Sequence, residues 1–192
     1  MPLSHLLSDL VLAAGDIVNA SNAPTLIPPV IPAHPWLSYD NWLKGFPLRS
    51  FLDLGAYENA PGSARGHARN VLAEWGLARF TDAAILVISE MVTNAMAATR
   101  KVAWEGGLPP VRMWLLGGAG AQATGEVMIL VWDAVAKEPV SRVAGVEDEN
   151  GRGLAILETL CTQWDFYLPP APPGGKVTRA LIDHPWRDQP LE

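Results

Sequence analysis

The chain has 192 residues, 49% of them hydrophobic and 18% charged, with a net charge of −6. This suits one well-cored domain with an appendage, and without a Lys/Arg cluster it argues against nucleic acid as a direct partner. The single cysteine, Cys161, leaves no route to an intrachain disulfide or a structural zinc site.

His5, His34, His67 and His184 are scattered without ligand spacing and are expected free at the surface. No apolar run is expected to approach the length of a membrane span. The N-terminus lacks the basic start of a signal peptide and carries Asp9 and Asp16 in its apolar region. A cytoplasmic protein without membrane contact is expected.

In residues 1–20, Leu3, Leu6, Leu7, Leu10, Val11, Ala14, Ile17 and Val18 recur at helical spacing, with Ser4, Ser8, Asp9 and Asp16 opposite. This amphipathic helix is expected to pack on its own domain's sheet or on a sister subunit in a homodimer; a partner-docking helix is the alternative. Residues 21–48 carry Pro24, Pro28, Pro29, Pro32 and Pro35, a density that excludes helix and central strand. They read as an extended arm, and Trp36, Tyr39 and Trp42 suggest docking against a surface.

Residues 49–183 carry globular patterning. FLDLGAY from Phe51 alternates as a strand, APGS turns, and residues 63–76 read as a helix with Ala64, Ala68, Val71, Leu72 and Trp75 inward. Thr81 is placed to cap a helix over Asp82–Arg100. Strands at 111–116 and 126–132 follow, then a loop over 134–150, a helix to Leu160 that holds Cys161 as a small core residue, the strand WDFY and the strand KVTRALI. The order implies an α/β (α+β) two-layer sandwich, a mixed, mostly antiparallel sheet with helices on one face. Residues 184–192 are a short polar tail, expected loose.

Three stretches could carry chemistry. In ILVISEMVTNAMAA, residues 85–98, apolar side chains surround the helix, so it is expected to be largely buried. Glu90 and Asn94 interrupt it one turn apart on one face. A buried carboxylate needs compensation, either from a structural arginine or in a pocket where Glu is a base and the Asn carbonyl holds a cation such as Mg²⁺. Asp133 ends the strand that aligns Val127, Ile129 and Val131 on one face. It can accept a hydrogen bond from an amino group, or it merely starts a turn. DENGRGLAILETL, residues 148–160, sets Gly151 and Gly153 around Arg152 before an apolar helix. Free helix amides and the dipole favour an anion there; a loop capped by Asp148 or Asn150 is the alternative.

In this order, SEMVTNA (89–95), VWD (131–133) and ENGRGL (149–154) resemble the N-box and the two glycine boxes of the GHKL nucleotide-binding superfamily. That superfamily includes histidine-kinase catalytic domains, gyrase-type ATPases and anti-sigma-factor kinases. APGSARGHARNVLAEWGL further resembles the small anti-sigma regulatory branch common in actinobacteria, and the resemblance covers roughly residues 48–183. It implies a Bergerat-type ATP-binding fold with ATP and Mg²⁺ as cofactors. Glu90 would be the general base, Asn94 the Mg²⁺ ligand and Asp133 the adenine reader. Gly151, Arg152, Gly153 and Leu154 would meet the phosphates, Lys176 and Thr178 would complete the nucleotide site, and 134–150 would form the lid.

The chain departs from the family pattern in three places. AVAKEP replaces glycines after Asp133. Ala97 and Ala98 stand where a basic residue or histidine often follows the asparagine, with Arg100 as a weak compensation. Lys176 replaces the threonine of a Gly-Thr pair, with Thr178 on the same strand face. The resemblance to the anti-sigma branch implies a serine/threonine kinase acting on a protein partner, a sigma factor or an antagonist-like regulator, and these departures bear on catalysis more than on binding. The alternative is a nucleotide-dependent binding module with no significant phosphotransfer. A histidine-kinase fragment is disfavoured, since no helical hairpin with a phosphoacceptor histidine is legible.

Overall fold

The computed structural model describes residues 45–101, 110–118, 125–137, 153–169 and 174–184. Five strands, β1 (Leu48–Leu54), β2 (Val111–Gly118), β3 (Glu126–Asp133), β4 (Gln163–Tyr167) and β5 (Lys176–Ile182), form one sheet. Three helices, α1 (Ala60–Glu74), α2 (Thr81–Thr99) and α3 (Gly153–Leu160), pack on one of its faces. The strand order is β1-β2-β3-β5-β4, and every neighbouring pair is antiparallel. The domain is an α+β sandwich.

Period-two alternation puts Val111, Met113, Leu115, Val127, Ile129, Val131, Ala180 and Ile182 on the helix-bearing face. There they meet Ala64, Ala68, Val71 and Leu72 of α1, Val87, Ile88, Met91 and Val92 of α2, and Leu157 and Leu160 of α3. Each Val, Leu, Ile or Met among them, removed from water, contributes about 1.5–3 kcal/mol. The opposite face is also apolar. It gathers Trp114, Leu116, Met128, Leu130, Trp132 and Val177, with Phe46 from just before β1.

β1 begins three residues before Phe51, because Leu48 already pairs with Gly117 and the ladder runs unbroken to Leu54 and Val111. α1 starts at Ala60, with Pro61 in its first turn, where a missing N–H costs nothing. It ends in a Schellman turn: Gly76 takes φ +70°, Gly76 N–H bonds Ala73 O, and Leu77 N–H bonds Leu72 O. A 3₁₀ turn, Ala78–Phe80, leads straight into α2. Thr81 is therefore a helical residue whose side chain caps nothing, contrary to expectation.

α2 corrects two further expectations. It is buried on one side only, since Leu86, Thr93, Asn94 and Ala97 are exposed; among the described residues one helix layer covers the sheet, and the outer side of α2 faces away from it. Ala78–Thr99, at 22 residues, is also long and apolar enough to cross a membrane by length and composition. Its apolar side is spent on β2, β3 and β5 instead, as expected of a core helix.

Candidate functional site

Two contacts fix the direction of α2 over the sheet. At its start, Leu77, Arg79 and Phe80 surround Gly125, immediately before β3. At its end, the Arg100 guanidinium donates from Nε to Ala56 O at 3.2 Å, just beyond β1. β1 and β3 run in the same direction, both antiparallel to β2. The second half of α2, with Glu90 and Asn94, therefore lies toward the end of the sheet where β3 finishes at Asp133.

α3 is anchored at the other end. It finishes at Leu160, and Thr162 N–H bonds Leu181 O near the end of β5, which pairs with the start of β3. Eight residues of helix span about 12 Å. Packed on α2 and β4, α3 directs its first residue, Gly153, toward the Asp133 end. The three stretches of chain thus point to one end of the sheet on one face.

Around the axis of α2, at about 100° per residue, Ala83, Val87, Glu90 and Asn94 fall on a single flank. Ala83 and Val87 are buried, Glu90 is half-buried and Asn94 is exposed. Cover thus runs out along this flank toward the Asp133 end, leaving the Asn94 amide open to a ligand. Beside Glu90, Ser89 Oγ donates to Ile85 O and accepts from Arg65 Nη1 at 3.1 Å. Arg65 of α1 was not singled out from sequence, although its place on the helix that packs against SEMVTNA is a usable signal.

Asp133 sits on the helix-bearing face and is 1% exposed. Its Oδ1 accepts from Val135 N–H at 2.9 Å, and its Oδ2 lies 3.0 Å from Lys176 Nζ, its partner across the β3–β5 ladder. Burial pushes the carboxyl upward from its usual range, opposed by the Lys176 charge and by both hydrogen bonds. A carboxylate offers about four acceptor positions, so two remain for an incoming donor. Lys176 therefore holds the acid rather than standing free, which explains a lysine at this strand position. Thr178, half-buried, lies two residues on along the same face, opposite Val131.

The turn before β5 was also missed. Gly174 and Gly175 take φ +64° and +78°. A Cβ on Gly175 would lie 2.3 Å from Asp133 O, and Trp132 Nε1 donates to Gly174 O. Only glycine fits there, and the turn holds Lys176 against Asp133.

Of the other expected site residues, Gly153 and Leu154 open α3, while Gly151, Arg152 and the segment 138–150 lie outside the described residues. Arg100, expected to compensate for Ala97 and Ala98, is directed to Ala56 O instead. Cys161 is buried just past α3, and burial pushes its thiol up to about 12. Two histidines are not free as expected. α1 lies over β1 and brings His67 Nε2 to 2.7 Å from Ser50 Oγ, while His184 Nδ1 lies 2.8 Å from Asp183; His5 and His34 lie outside the described residues. Among the described residues no cluster of three or more His, Cys, Asp or Glu is placed to hold a metal ion. No protein-family model and no curated protein matches the chain.

Proposed function

We propose that this is a cytoplasmic ATP-binding regulatory protein of the GHKL type, acting as a serine/threonine kinase on a protein partner in transcriptional control, in the manner of anti-sigma-factor kinases. What supports the reading is the convergence of the Glu90/Asn94 flank, the Asp133–Lys176 pair and the start of α3 on one end of the helix-bearing face. Asp133 would accept from the adenine amino group, with Lys176 and Thr178 beside it. Gly151, Arg152, Gly153 and Leu154 would set helix amides against the triphosphate.

Mg²⁺ keeps several waters and takes few protein ligands, so the exposed Asn94 carbonyl together with phosphate oxygens fits it. When bound, it would neutralise charge on the phosphates. Glu90 would orient the partner's hydroxyl and accept its proton. Incubating the protein with γ-labelled ATP and a cognate antagonist is expected to transfer label to a serine or threonine; no transfer to any cognate partner contradicts the kinase reading.

One observation favours a second reading, a nucleotide-dependent binding module that sequesters its partner. Ala97 and Ala98 supply no cation beside Asn94, and Arg100 turns its Nε to Ala56 O. Binding survives that loss more readily than phosphotransfer, which depends on charge neutralisation.

A further inference from the structure

One row of side chains crosses all five strands on the face opposite the helices. Asp53 of β1 pairs with Arg112 of β2, Arg112 with Trp132 of β3, Trp132 with Val177 of β5, and Val177 with Tyr167 of β4. Trp132 sits at its centre, 2% exposed. Arg112 lies over the Trp132 ring, its guanidinium 5.1 Å from the ring centroid and its Nε 3.5 Å from Asp53 Oδ2.

Successive residues of a strand point to opposite faces, so Trp132 stands directly behind Asp133. The two are nevertheless linked around the end of the sheet. A buried indole N–H needs an acceptor, and Trp132 Nε1 donates to Gly174 O at 2.9 Å. Gly174 and Gly175 both take positive φ, which suits glycine. Gly175 packs so closely that a Cβ on it would meet Trp132 Nε1 at 2.8 Å and lie closer still to Asp133 O.

The next residue is Lys176, whose Nζ lies 3.0 Å from Asp133 Oδ2. The indole thus fixes the turn, the turn fixes where β5 begins, and β5 brings the ammonium to the carboxylate. Of the two anchors on the Asp133 side chain, Val135 N–H comes from just past its own strand and Lys176 from across the ladder. Only the second depends on the turn.

We propose that Trp132 is a positioning residue for Asp133, acting through the Gly174–Gly175 turn on Lys176 and so on how the carboxylate meets adenine; this role rests on the nucleotide reading of the site. A recognition group works only when held to within about 0.5 Å of its productive place. Here that support comes from behind the sheet, from a side chain that never meets the ligand.

Trp132→Phe keeps a ring beneath Arg112 and removes the donor. Placing β-(3-benzothienyl)alanine at position 132 replaces the N–H by sulfur and retains the shape of the indole. Adenine presents an amino group where guanine presents a carbonyl oxygen, which a carboxylate repels. The ATP-to-GTP affinity ratio therefore reports the placement of Asp133. Both variants are expected to lower that ratio about tenfold, the scale of one hydrogen bond to a charged group. Trp114→Phe, which trims the other tryptophan of this face, is expected to leave the ratio unchanged.

The titration of the Asp133 carboxyl, followed by carbon NMR, separates this role from the nucleotide reading. The Lys176 charge holds that carboxyl down against the effect of burial, so a loosened ammonium should let it titrate higher in both variants than in the wild type. A wild type that binds no nucleotide contradicts the nucleotide reading, and the titration still decides the link. An unchanged titration in both variants overturns it. A raised titration with an unchanged ATP-to-GTP ratio limits Trp132 to the stability of the ion pair and overturns its part in recognition.

Discussion

Asp133 and Lys176 stand opposite each other across β3 and β5, carboxylate to ammonium at 3.0 Å, both nearly removed from water. Removing one partner leaves a buried charge unpaired. Asp133→Asn is expected to cost about 3–5 kcal/mol by urea unfolding, and Asp133→Asn with Lys176→Met to recover much of it; equal losses in single and double variants would contradict the pairing.

The same pair gives a pH dependence. Burial raises the Asp133 carboxyl, so the folded state holds this proton more tightly than the unfolded chain does. The resulting stability is full below the ordinary carboxyl value of 3.8 and is lost as pH rises through the raised folded value. Wild-type stability relative to Asp133→Asn should fall across that window. A difference that rises with pH would reverse the assignment.

His67 works in the opposite sense. Burial lowers its pKa below 6.5, opposed by the Glu74 charge, so the fold prefers the neutral ring beside Ser50. Its contribution is present above 6.5 and is lost as pH falls through the lowered folded value. The urea midpoint of the wild type should drop on acidification through this range, and His67→Gln should flatten the drop. An unchanged slope in the variant would remove His67 from the account.

Cys161 is 9% exposed, and its thiol is pushed up to about 12. Since the thiolate is the reactive form, a thiol reagent at neutral pH should modify the native chain negligibly and the unfolded chain stoichiometrically. Rapid native modification would show that the end of α3 opens.

Most strand and helix positions were legible as apolar runs bounded by turn residues, and KVTRALI is β5 as written in the sequence, although APGS, expected as a turn, is the first turn of α1. The partners of each strand were not legible. β5 lies between β3 and β4, a long-range choice that local pattern does not encode. Two apolar sheet faces also blur alternation, so β3 reads as a continuous apolar run. At the site, Asp133 was visible as the polar end of an apolar strand. Its bond to Lys176 depends on cross-strand register, and the Gly174–Gly175 turn that enforces this register looks like any loop in sequence. α2 looked apolar all round because alanine and threonine on its outer side carry no strong polar signal.

Glu90 separates the two functional readings. Glu90→Gln keeps shape and hydrogen bonding but cannot take a proton. General base catalysis contributes about 10²–10⁴-fold, so label transfer should fall by about that factor with nucleotide affinity unchanged if the protein is a kinase. A regulatory effect that survives the substitution intact identifies a binding module.

A nucleotide titration with and without Mg²⁺, on the wild type and on Asn94→Ala, reaches the proposed site most directly. Asn94 is exposed on α2, so the substitution should leave the fold intact. ATP should bind the wild type more tightly with Mg²⁺, and Asn94→Ala should lose that metal-dependent increment. ATP binding that is absent from the folded wild type, or equally strong in both proteins with and without the metal, would contradict the site.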